Sequence, residues 1–249
     1  MTSGTGIGEP AALWLVRHGQ SQGNVVREAA GPTTEVLDIA ERDMDVPLSR
    51  LGEDQARSFG RWLGRRPVEE QPDVVLASPY RRAEQTARLV VEAAGLGQRV
   101  HLDERLRERE YGVADLLTTR GFAQRMPTEA DRRRRLGKFY YRPPGGESWV
   151  DVALRLRSLR DSLGREHAGR RVLIVAHEVP ILIMRYLLED LDEASVLALG
   201  DGQLANCSLT AYETDADGHP RLTTAGWTAP LEVDDTEVTE ESDAPVAPR

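Results

Sequence analysis

Cysteine is almost absent from this sequence of 249 residues, in which Cys207 stands alone. A single cysteine excludes a disulfide bond within the chain, so a hydrophobic core must hold the fold together. The chain is long enough to form one large domain with such a core. No basic cluster adjoins Cys207, so we expect a buried, unreactive thiol on a strand rather than a nucleophile.

Long hydrophobic runs are also missing. No apolar stretch of the sequence reaches the length that spans a bilayer. Residues 1–10 contain neither the basic segment nor the apolar segment of a signal peptide. We therefore expect residues 1–10 to be flexible and the protein to be cytoplasmic, without a membrane partner.

Lysine is scarce as well, since Lys138 is the only one and arginine supplies the other basic residues. Arginine codons are rich in G and C, so this bias indicates a bacterial source. The formal net charge is −9, of which residues 231–249 contribute −6, because seven acidic residues there accompany only Arg249. We predict that residues 231–249, which lack aromatic side chains, form an acidic, disordered tail. No basic patch indicates a nucleic-acid partner.

The hydrophobic segments that are present are short and end in polar residues. Residues 11–16, 73–77 and 171–176 form apolar runs, and a histidine follows the first and the third closely. Runs of this length are typical of strands that are buried on both faces. Helical patterns separate them, which predicts the α/β class, with a three-layer α/β/α sandwich around a mostly parallel central sheet.

Weaker patterns predict the remaining elements. Further strands are expected at residues 100–102, 204–213 and 220–227. The connection over residues 25–47 has poor periodicity, and a short helix is expected there near residues 36–39. Serine N-caps predict three helix starts: Ser49, Ser78 with Pro79 as the first helical residue, and Ser148 with Asp151 as its capping partner.

The residues after the first strand concentrate polar chemistry. Arg17 and His18 stand at the carboxyl end of a buried strand, where open α/β sheets bind their ligands. Gly19 allows backbone N–H groups to approach whatever His18 faces. Ser21 and Asn24 add polar side chains nearby. A structural histidine beside a salt-bridged arginine is the alternative interpretation of this segment.

An arginine occupies a corresponding place after the second strand. Side chains in a helix tilt toward its N-terminus, so Arg82 in the first turn would reach back over the strand end. It would meet His18 there if the two strands are parallel neighbours. A helix N-terminus combined with an arginine favours a phosphate site, whereas surface arginines on an amphipathic helix are the alternative.

Two later segments carry charged residues outside the strands. Glu108 and Glu110 lie among arginines just before Gly112, which indicates either a loop with a proton donor or a solvated charged turn. Residues 113–142 form an insertion with a run of four arginines at residues 132–135. This insertion either presents a solvated helix face or lies over an anion pocket.

Four motifs follow one another along residues 11–213. They are Arg17-His18-Gly19 with Ser21 and Asn24, then Ser78-Pro79 followed by Arg82, then Glu108 four residues before Gly112, and finally His177 after a buried strand. In this order the motifs resemble those of the histidine phosphatase superfamily, which has the phosphoglycerate-mutase-like fold. The resemblance implies a histidine phosphatase domain over residues 11–230, with the insertion at residues 113–142 over the active site.

The resemblance also implies a role for each motif residue. His18 would be the nucleophile that attacks phosphorus. Glu108 would protonate the leaving group, with Glu110 as the competing candidate. The basic side chains that would bind the phosphoryl oxygens are those of Arg17, Arg82 and His177.

Further substrate contacts are expected around this centre. Gly19, Ser21 and Asn24 would contact the phosphoryl group or orient the nucleophile, and the insertion would contribute Tyr141 and Arg142. No metal or other cofactor is expected, because these basic side chains, together with that of His18, already offset the phosphate charge. The sequence also contains no clustered set of carboxylate or cysteine ligands.

One position departs from the family pattern. The family usually has glycine after the second histidine, where this chain has Glu178. A carboxylate that faces an anion pocket would repel phosphate. Glu178 therefore either shapes substrate choice as part of the binding site or lies harmlessly at a helix N-terminus, where acidic residues are favoured.

The resemblance favours a cofactor-independent phosphomonoesterase that acts on a small anionic phosphorylated metabolite. A phosphoglycerate mutase would share the phosphohistidine, but that branch usually has a Gly-Leu-Asn-Lys element where residues 113–116 of this chain are Val-Ala-Asp-Leu. A phosphoprotein phosphatase and a phospho-ligand binding module without turnover are further alternatives. No motif specifies the substrate or the oligomeric state.

Overall fold

The computed structural model of the chain describes residues 8–200, 204–232 and 234–240, and within them the centre is a six-stranded sheet. Its order is β3-β2-β4-β1-β5-β6. The first four strands in this order are mutually parallel, and β5 and β6 are antiparallel to their neighbours. The strands are β1 (Ala12–Arg17), β2 (Val74–Ala77), β3 (Val100–Leu102), β4 (Arg171–Ala176), β5 (Leu209–Thr214) and β6 (Pro220–Trp227).

Helices cover both faces of the sheet. Leu13 and Leu15 of β1 pack in one core cluster with α6 and α7, whereas Trp14 and Val16 pack in another with α2 and α3. This alternation follows from the pleat of the strand and confirms the three-layer α/β/α prediction. The helices are α1 (Gln22–Glu28), α2 (Arg50–Gly64), α3 (Arg81–Ala94), α4 (Thr119–Arg125), α5 (Pro127–Tyr140), α6 (Trp149–Glu166), α7 (Glu178–Leu188), α8 (Glu193–Leu199) and α9 (Ala229–Glu232).

The strand register brings the two histidines of the motifs to one edge of the sheet. Arg17 of β1 pairs with Ala176 of β4, so the residues that follow them, His18 and His177, are neighbours. The His18 backbone N–H donates to the Ala176 carbonyl at 3.0 Å. Ser78 after β2 joins the same edge, because its N–H donates to the carbonyl of the penultimate residue of β4.

The start of α2 packs directly on the backbone that follows His18. Ser49 caps α2, as predicted, and its Oγ accepts from the N–H of Gly52 at 3.0 Å. A Cβ atom at Gly52 would overlap the carbonyl oxygen of Gln20, and one at Gly19 would overlap the carbonyl oxygen of Gly52. Glycine is therefore required at both contact points.

The prediction of a short helix near residues 36–39 is wrong. The backbone there is extended: Val36 forms an isolated bridge with Leu117, and the Leu37 N–H donates to the Leu116 carbonyl at 2.8 Å. The backbone of this connection is thus paired with the insertion instead of with its own next turn. A distant segment has overridden the weak local preference.

The predicted start of α3 is also wrong. The helix begins at Arg81 with Tyr80 as its N-cap, so neither Ser78 nor Pro79 holds the predicted position. The Ser78 hydroxyl accepts from the Tyr80 N–H at 3.2 Å and lies 2.8 Å from Nε2 of His177. Ser78 therefore contacts a site residue rather than capping the helix.

The strand predicted from residue 204 begins only at Leu209. The preceding residues form a turn in which Cys207 has a φ of 54°, a left-handed conformation that a strand cannot contain. The thiol is fully buried, as predicted. Burial raises the pKa of the Cys207 thiol, although the nearby Arg17 lowers it in part.

Both chain ends contain ordered contacts inside segments predicted to be flexible. Glu9 binds Arg160 at 2.6 Å. Leu231 and Thr239 are buried, because their segment packs against the domain. The remaining parts of the two predictions, residues 1–7, 233 and 241–249, lie outside the described residues. Among the described residues, no helix is both long enough and apolar enough to cross a membrane.

Candidate active site

His18 follows β1 directly, and hydrogen-bond partners define its tautomer. Its Nδ1 lies 2.7 Å from the carbonyl oxygen of Gly19, and because a carbonyl only accepts, Nδ1 carries the proton. Its Nε2 lies 3.3 Å from Nε of Arg82, which only donates, so Nε2 presents its lone pair. The imidazole is fully buried. A nitrogen nucleophile requires this neutral tautomer.

Arg82 lies in the first turn of α3 and reaches back to the strand edge, as the sequence predicts. Its Nη1 donates to the Asp43 carbonyl at 2.6 Å and lies 3.1 Å from the Asp43 carboxylate. Asp43 belongs to the aperiodic connection, and no sequence signal singled it out. The guanidinium therefore links His18 to a carboxylate that would compete with phosphoryl oxygens for the same donors.

Arg17, the last residue of β1, is fully buried. Its guanidinium donates to the carbonyl of Leu204, and its backbone N–H donates to the Ser208 carbonyl at 3.3 Å. The N–H of Cys207 in turn donates to the Arg17 carbonyl at 3.1 Å. β1 lies between β4 and β5, and the turn before β5 thus holds Arg17 in place from the β5 side.

His177 lies beside His18 at the same strand edge. The ring centroids of His18 and His177 are 5.0 Å apart in an edge-to-face arrangement. Nε2 of His177 lies 2.8 Å from the Ser78 hydroxyl, and its ring also contacts Tyr80 at 5.2 Å. The guanidinium of Arg82 lies over the Tyr80 ring at 5.2 Å. The structure therefore brings His18, His177 and Arg82 together around one aromatic side chain.

The two acidic candidates differ in burial. Burial raises the pKa of the Tyr80 hydroxyl, and the charge of Asp43 raises it further, with smaller contributions from Glu110 and Glu108 and an opposing one from Arg82. Glu108 is fully buried, and its Oε1 accepts from the Arg109 backbone N–H at 2.6 Å, whereas Glu110 is exposed. A carboxyl group shielded from water is better suited to deliver a proton to a leaving group.

Glu147 holds the loop that carries Glu108, a role that sequence reasoning missed. The Glu147 carboxylate binds Arg155 at 3.0 Å and Arg107 at 2.9 Å, and it accepts from the Glu110 N–H at 3.1 Å. Nη2 of Arg155 donates to the Glu108 carbonyl at 3.3 Å. In the sequence, the neighbouring Ser148 indicated only a helix start.

Three smaller candidates support the backbone around His18. The Gly19 N–H donates to Oγ1 of Thr86 at 3.0 Å. Ser21 and Asn24 form a reciprocal capping box at the start of α1, in which the Ser21 N–H donates to Asn24 at 2.9 Å and the Asn24 N–H donates to Ser21 at 3.1 Å. Both side chains line a small cavity whose wall also includes Arg82 and Asp43.

Glu178 is buried in the first turn of α7. That position agrees with the second interpretation of this residue, because acidic side chains are favoured at helix N-termini. Tyr141 is also buried, and its hydroxyl donates to Glu129 at 2.9 Å. Arg142 is exposed and binds the Asp151 carboxylate at 2.8 Å. Arg142 and Tyr141 therefore serve contacts at α6 and within the insertion.

The four arginines of the run in the insertion differ in exposure. Arg132, Arg134 and Arg135 are exposed and form a solvated helix face, whereas Arg133 is half-buried. Burial lowers the pKa of Arg133, and the positive charge of Arg109 lowers it further. That the insertion lies over an anion pocket stays a prediction.

Metal ions in proteins are held by groups of histidine, cysteine and carboxylate side chains. Across residues 8–200, 204–232 and 234–240, no group of three or more such side chains could hold a metal ion. Arg82 places a guanidinium group beside His18. This composition suits the binding of phosphoryl oxygens by guanidinium groups.

The family model of the histidine phosphatase superfamily (branch 1) matches residues 13–228 of this chain. The chain belongs to this superfamily. Among similar proteins, a 2,3-bisphosphoglycerate-dependent phosphoglycerate mutase 2 from Gloeobacter violaceus is 35% identical over 211 residues, which are 84% of this chain and 88% of the relative. The expected family and its fold are thus confirmed for this histidine phosphatase.

Solved structures resemble the domain over most of its length. The mycobacterial glucosyl-3-phosphoglycerate phosphatase in complex with VO3 is 31% identical, with a TM-score of 0.66 over 86% of this chain and 98% of that chain. The alpha-ribazole phosphatase from Shigella flexneri is 22% identical, with a TM-score of 0.70 over 87% and 96% of the two chains. At that identity, the second likeness concerns the fold alone.

Proposed function

We propose that this histidine phosphatase is a metal-independent phosphomonoesterase that forms a phosphohistidine at His18 and hydrolyses a small phosphorylated metabolite. The observation that carries the proposal is the tautomer of His18, whose Nδ1–H binds the Gly19 carbonyl while Nε2 faces Arg82. An imidazole whose Nε2 already presents its lone pair needs no deprotonation before it attacks phosphorus.

In the first step, Nε2 of His18 attacks phosphorus in line with the bond to the leaving oxygen. The N–P bond forms, the P–O bond breaks, and protonated Glu108 gives its proton to the departing alkoxide. The Gly19 carbonyl stabilises the positive charge that develops on the imidazole, because it accepts from Nδ1–H throughout.

In the second step, the Glu108 carboxylate takes a proton from water while the water oxygen attacks phosphorus. The N–P bond breaks and its electron pair returns to Nε2 of His18. Inorganic phosphate leaves, and both side chains regain their starting protonation states. Arg17, Arg82 and His177 offset the negative charge on the equatorial oxygens in both transition states.

The surroundings of the site support an anionic small substrate. The half-buried Arg133 and the buried Arg109 concentrate positive charge next to Glu108. The mycobacterial relative of 31% identity is named for a phosphorylated glucosylglycerate, which carries a carboxylate besides its phosphate. A phosphorylated sugar or glycerate derivative is therefore the substrate class that we propose.

Mutase activity is the second candidate, because a relative of 35% identity bears the name of a phosphoglycerate mutase. A mutase must retain a bisphosphate and return its phosphoryl group to the acceptor. Residues 113–116 are Val-Ala-Asp-Leu, which departs from the element usual in that branch. Hydrolysis is therefore favoured over phosphoryl return.

The test is phosphate release by purified protein, with EDTA present, from p-nitrophenyl phosphate and a panel of sugar phosphates and phosphoglycerates. We expect metal-independent release, and an acid-labile phosphoryl group on His18 in quenched protein analysed by mass spectrometry. His18→Ala should lose at least about 10⁴-fold in turnover while its thermal unfolding stays near that of the parent.

His101→Ala is the matched control, because His101 is exposed on the edge strand β3. Full activity in His18→Ala would refute the nucleophile assignment. Interconversion of phosphoglycerates without net phosphate release would support the mutase instead.

A further inference from the structure

The segment after β6 returns to the catalytic edge of the sheet. Helix α9 packs on α2, where the Ser58 hydroxyl donates to the Pro230 carbonyl at 3.1 Å. The Asp234 carboxylate then binds Arg61 of α2 at 2.7 Å. These contacts direct the following residues toward the start of α2, which packs against the backbone after His18.

Thr239 ends this path in a buried position between two amide side chains. Nε2 of Gln55 donates to Oγ1 of Thr239 at 3.0 Å and to the Glu237 carbonyl at 2.9 Å. Oγ1 of Thr239 donates to Oδ1 of Asn206 at 2.9 Å, and the Asn206 N–H donates to the Thr239 carbonyl at 2.8 Å. Gln55 and Asn206 are fully buried, and Thr239 is 7% exposed.

The other ends of the same two amides hold the backbone around Gly19. Nδ2 of Asn206 donates to the His18 carbonyl at 3.0 Å. Oε1 of Gln55 accepts from the Gln20 N–H at 2.8 Å. The peptide groups on both sides of Gly19 are therefore bound to amides that meet at one threonine.

The donor and the acceptor of each hydrogen bond in this network are fixed by the backbone groups at its ends. Oε1 of Gln55 must accept from the Gln20 N–H, so its NH₂ group faces Thr239. Nδ2 of Asn206 must donate to the His18 carbonyl, so its oxygen also faces Thr239. A hydroxyl accepts from one amide and donates to the other, which no apolar side chain can do. Loss of the hydroxyl would remove the partner of one Gln55 N–H and the donor to Oδ1 of Asn206, while the bond from Gln55 to the Glu237 carbonyl would remain.

We propose that Thr239 is a positioning residue for His18 and that the C-terminal segment thereby orders the active-site loop. The proposal rests on the proposed role of His18 as the nucleophile. Gly19, whose carbonyl accepts from Nδ1 of His18, lies between the two peptide groups that the amides hold. Thr239 thus acts on the orientation of the imidazole through Asn206 and Gln55, without contacting the substrate.

The experiment replaces Thr239 with the isosteric valine and measures single-turnover formation of the phosphoenzyme, kcat, KM and thermal unfolding. We expect Thr239→Val to slow phosphoenzyme formation and kcat by about 10-fold, since small misplacements of a reacting group are costly. KM should change less than about 2-fold, because the phosphate-binding arginines are untouched. Thr239→Ser, which keeps the hydroxyl, should restore the parental rate.

Glu240→Gln is the matched control, because Glu240 is exposed next to Thr239 and the change leaves the amide network and the Asp234 anchor intact. It should keep the parental kcat. An unchanged rate in Thr239→Val, or an equal loss in Thr239→Val and Glu240→Gln, would overturn the proposal. If Thr239→Val fails to fold, Thr239→Ala takes its place in the same comparison with Thr239→Ser.

A readout without catalysis separates this proposal from the proposed function. Nitrogen-15 NMR of the His18 imidazole, assigned by comparison with His18→Asn, reports the Nδ1–H hydrogen bond directly. We expect Thr239→Val to shift the Nδ1 resonance and Glu240→Gln to leave it in place. Such a shift in a protein without phosphatase activity would support the positioning role while the proposed function fails. An unshifted resonance would refute the positioning role.

Discussion

The two loops that carry the proposed reacting groups are supported by different chemistry. The nucleophile loop, residues 18–20, is held by the neutral side chains of Gln55, Thr86 and Asn206. The carboxylate loop, residues 107–110, is held by ion pairs. Neutral buried hydrogen bonds neither titrate nor respond strongly to salt, whereas ion pairs that reach solvent do both.

The ion pairs of the carboxylate loop are indeed partly open to solvent. The side chain of Arg107 is 36% exposed and that of Glu147 is 13% exposed, while Arg155 is 10% exposed. By contrast, Gln55, Thr86 and Asn206 are fully buried. The difference indicates that proton transfer should be more sensitive to pH and to salt concentration than nucleophilic attack.

The largest effect that would sharpen this comparison is expected for Glu108→Gln. Loss of the acid should reduce kcat for alkyl phosphates by about 10²- to 10⁴-fold. For p-nitrophenyl phosphate the loss should be much smaller, because nitrophenolate leaves without protonation. Steady-state kinetics on both substrates provide the measurement.

Glu110→Gln is the control for that experiment, since Glu110 is exposed in the same loop. It should retain most of the parental activity on both substrates. Equal losses on alkyl and nitrophenyl phosphates in Glu108→Gln would contradict the acid role. A selective loss in Glu110→Gln would transfer that role to Glu110.

A smaller effect is expected for Glu147→Gln, which removes the ionic support of the carboxylate loop. We expect kcat for alkyl phosphates to fall by about 10-fold, because a misplaced acid transfers its proton less well. Glu166→Gln, an exposed change at the end of α6, is the control. An unchanged kcat in Glu147→Gln would remove the distinction between the two loops.

The ion pairs of Glu147 should also make the free energy of unfolding depend on pH. Burial raises the pKa of Glu147, but its hydrogen bond with Arg155 and the positive charge there outweigh this and lower the pKa below its ordinary value. A lowered folded-state pKa stabilises the fold fully above the ordinary glutamate pKa, and this stabilisation is lost as pH falls through the folded value. Chemical denaturation across that acidic range should therefore show a smaller loss of unfolding free energy in Glu147→Gln than in the parent.

Asp43→Asn tests the charged group that contacts Arg82 beside the nucleophile loop. Removing the competing carboxylate should free the guanidinium for phosphate and lower KM by about two- to five-fold, as expected for a partly exposed ion pair. Asp45→Asn is the control, because Asp45 lies nearby and binds the exposed Arg42. A higher KM in Asp43→Asn would show that Asp43 orders Arg82 for binding instead.

The smallest effect on activity is expected for Ser148→Ala, next to Glu147. Loss of the N-cap of α6 should lower the free energy of unfolding by about 1 kcal/mol. The kcat should stay close to the parental value, since the ion pairs of Glu147 remain. Ser148→Thr keeps the capping hydroxyl and should retain the stability in the same denaturation experiment. A large loss of kcat in Ser148→Ala would mean that the cap, rather than Glu147, positions the carboxylate loop.

Much of the site was predictable from local patterns. Strand ends are marked by apolar runs, and parallel strands bring their carboxyl ends to one edge, so Arg17, His18 and His177 could be expected together. Arg82 followed from its place in a first helical turn, even though that helix starts at Arg81 rather than after Ser78. The N-caps Ser49 and Ser148 followed in the same way, because each capping contact lies within one helical turn.

The supporting residues were not predictable, because their contacts join segments that are far apart in the chain. Asp43 reaches Arg82 from an aperiodic connection, and Glu147 reaches the carboxylate loop from the start of α6. Asn206 lies where a strand was expected, in a turn that only packing against β1 defines. Thr239 lies in a segment whose composition favours disorder.

The amino-acid order alone therefore determined the class of fold and the edge of the sheet where the candidate site residues lie, and the family resemblance implied the nucleophile candidate. Periodicity and strand ends are local properties, which each segment expresses by itself. Which side chains hold the two loops was decided only when the chain folded. Buried donors and acceptors must find partners, and in this protein many of those partners come from the opposite end of the chain.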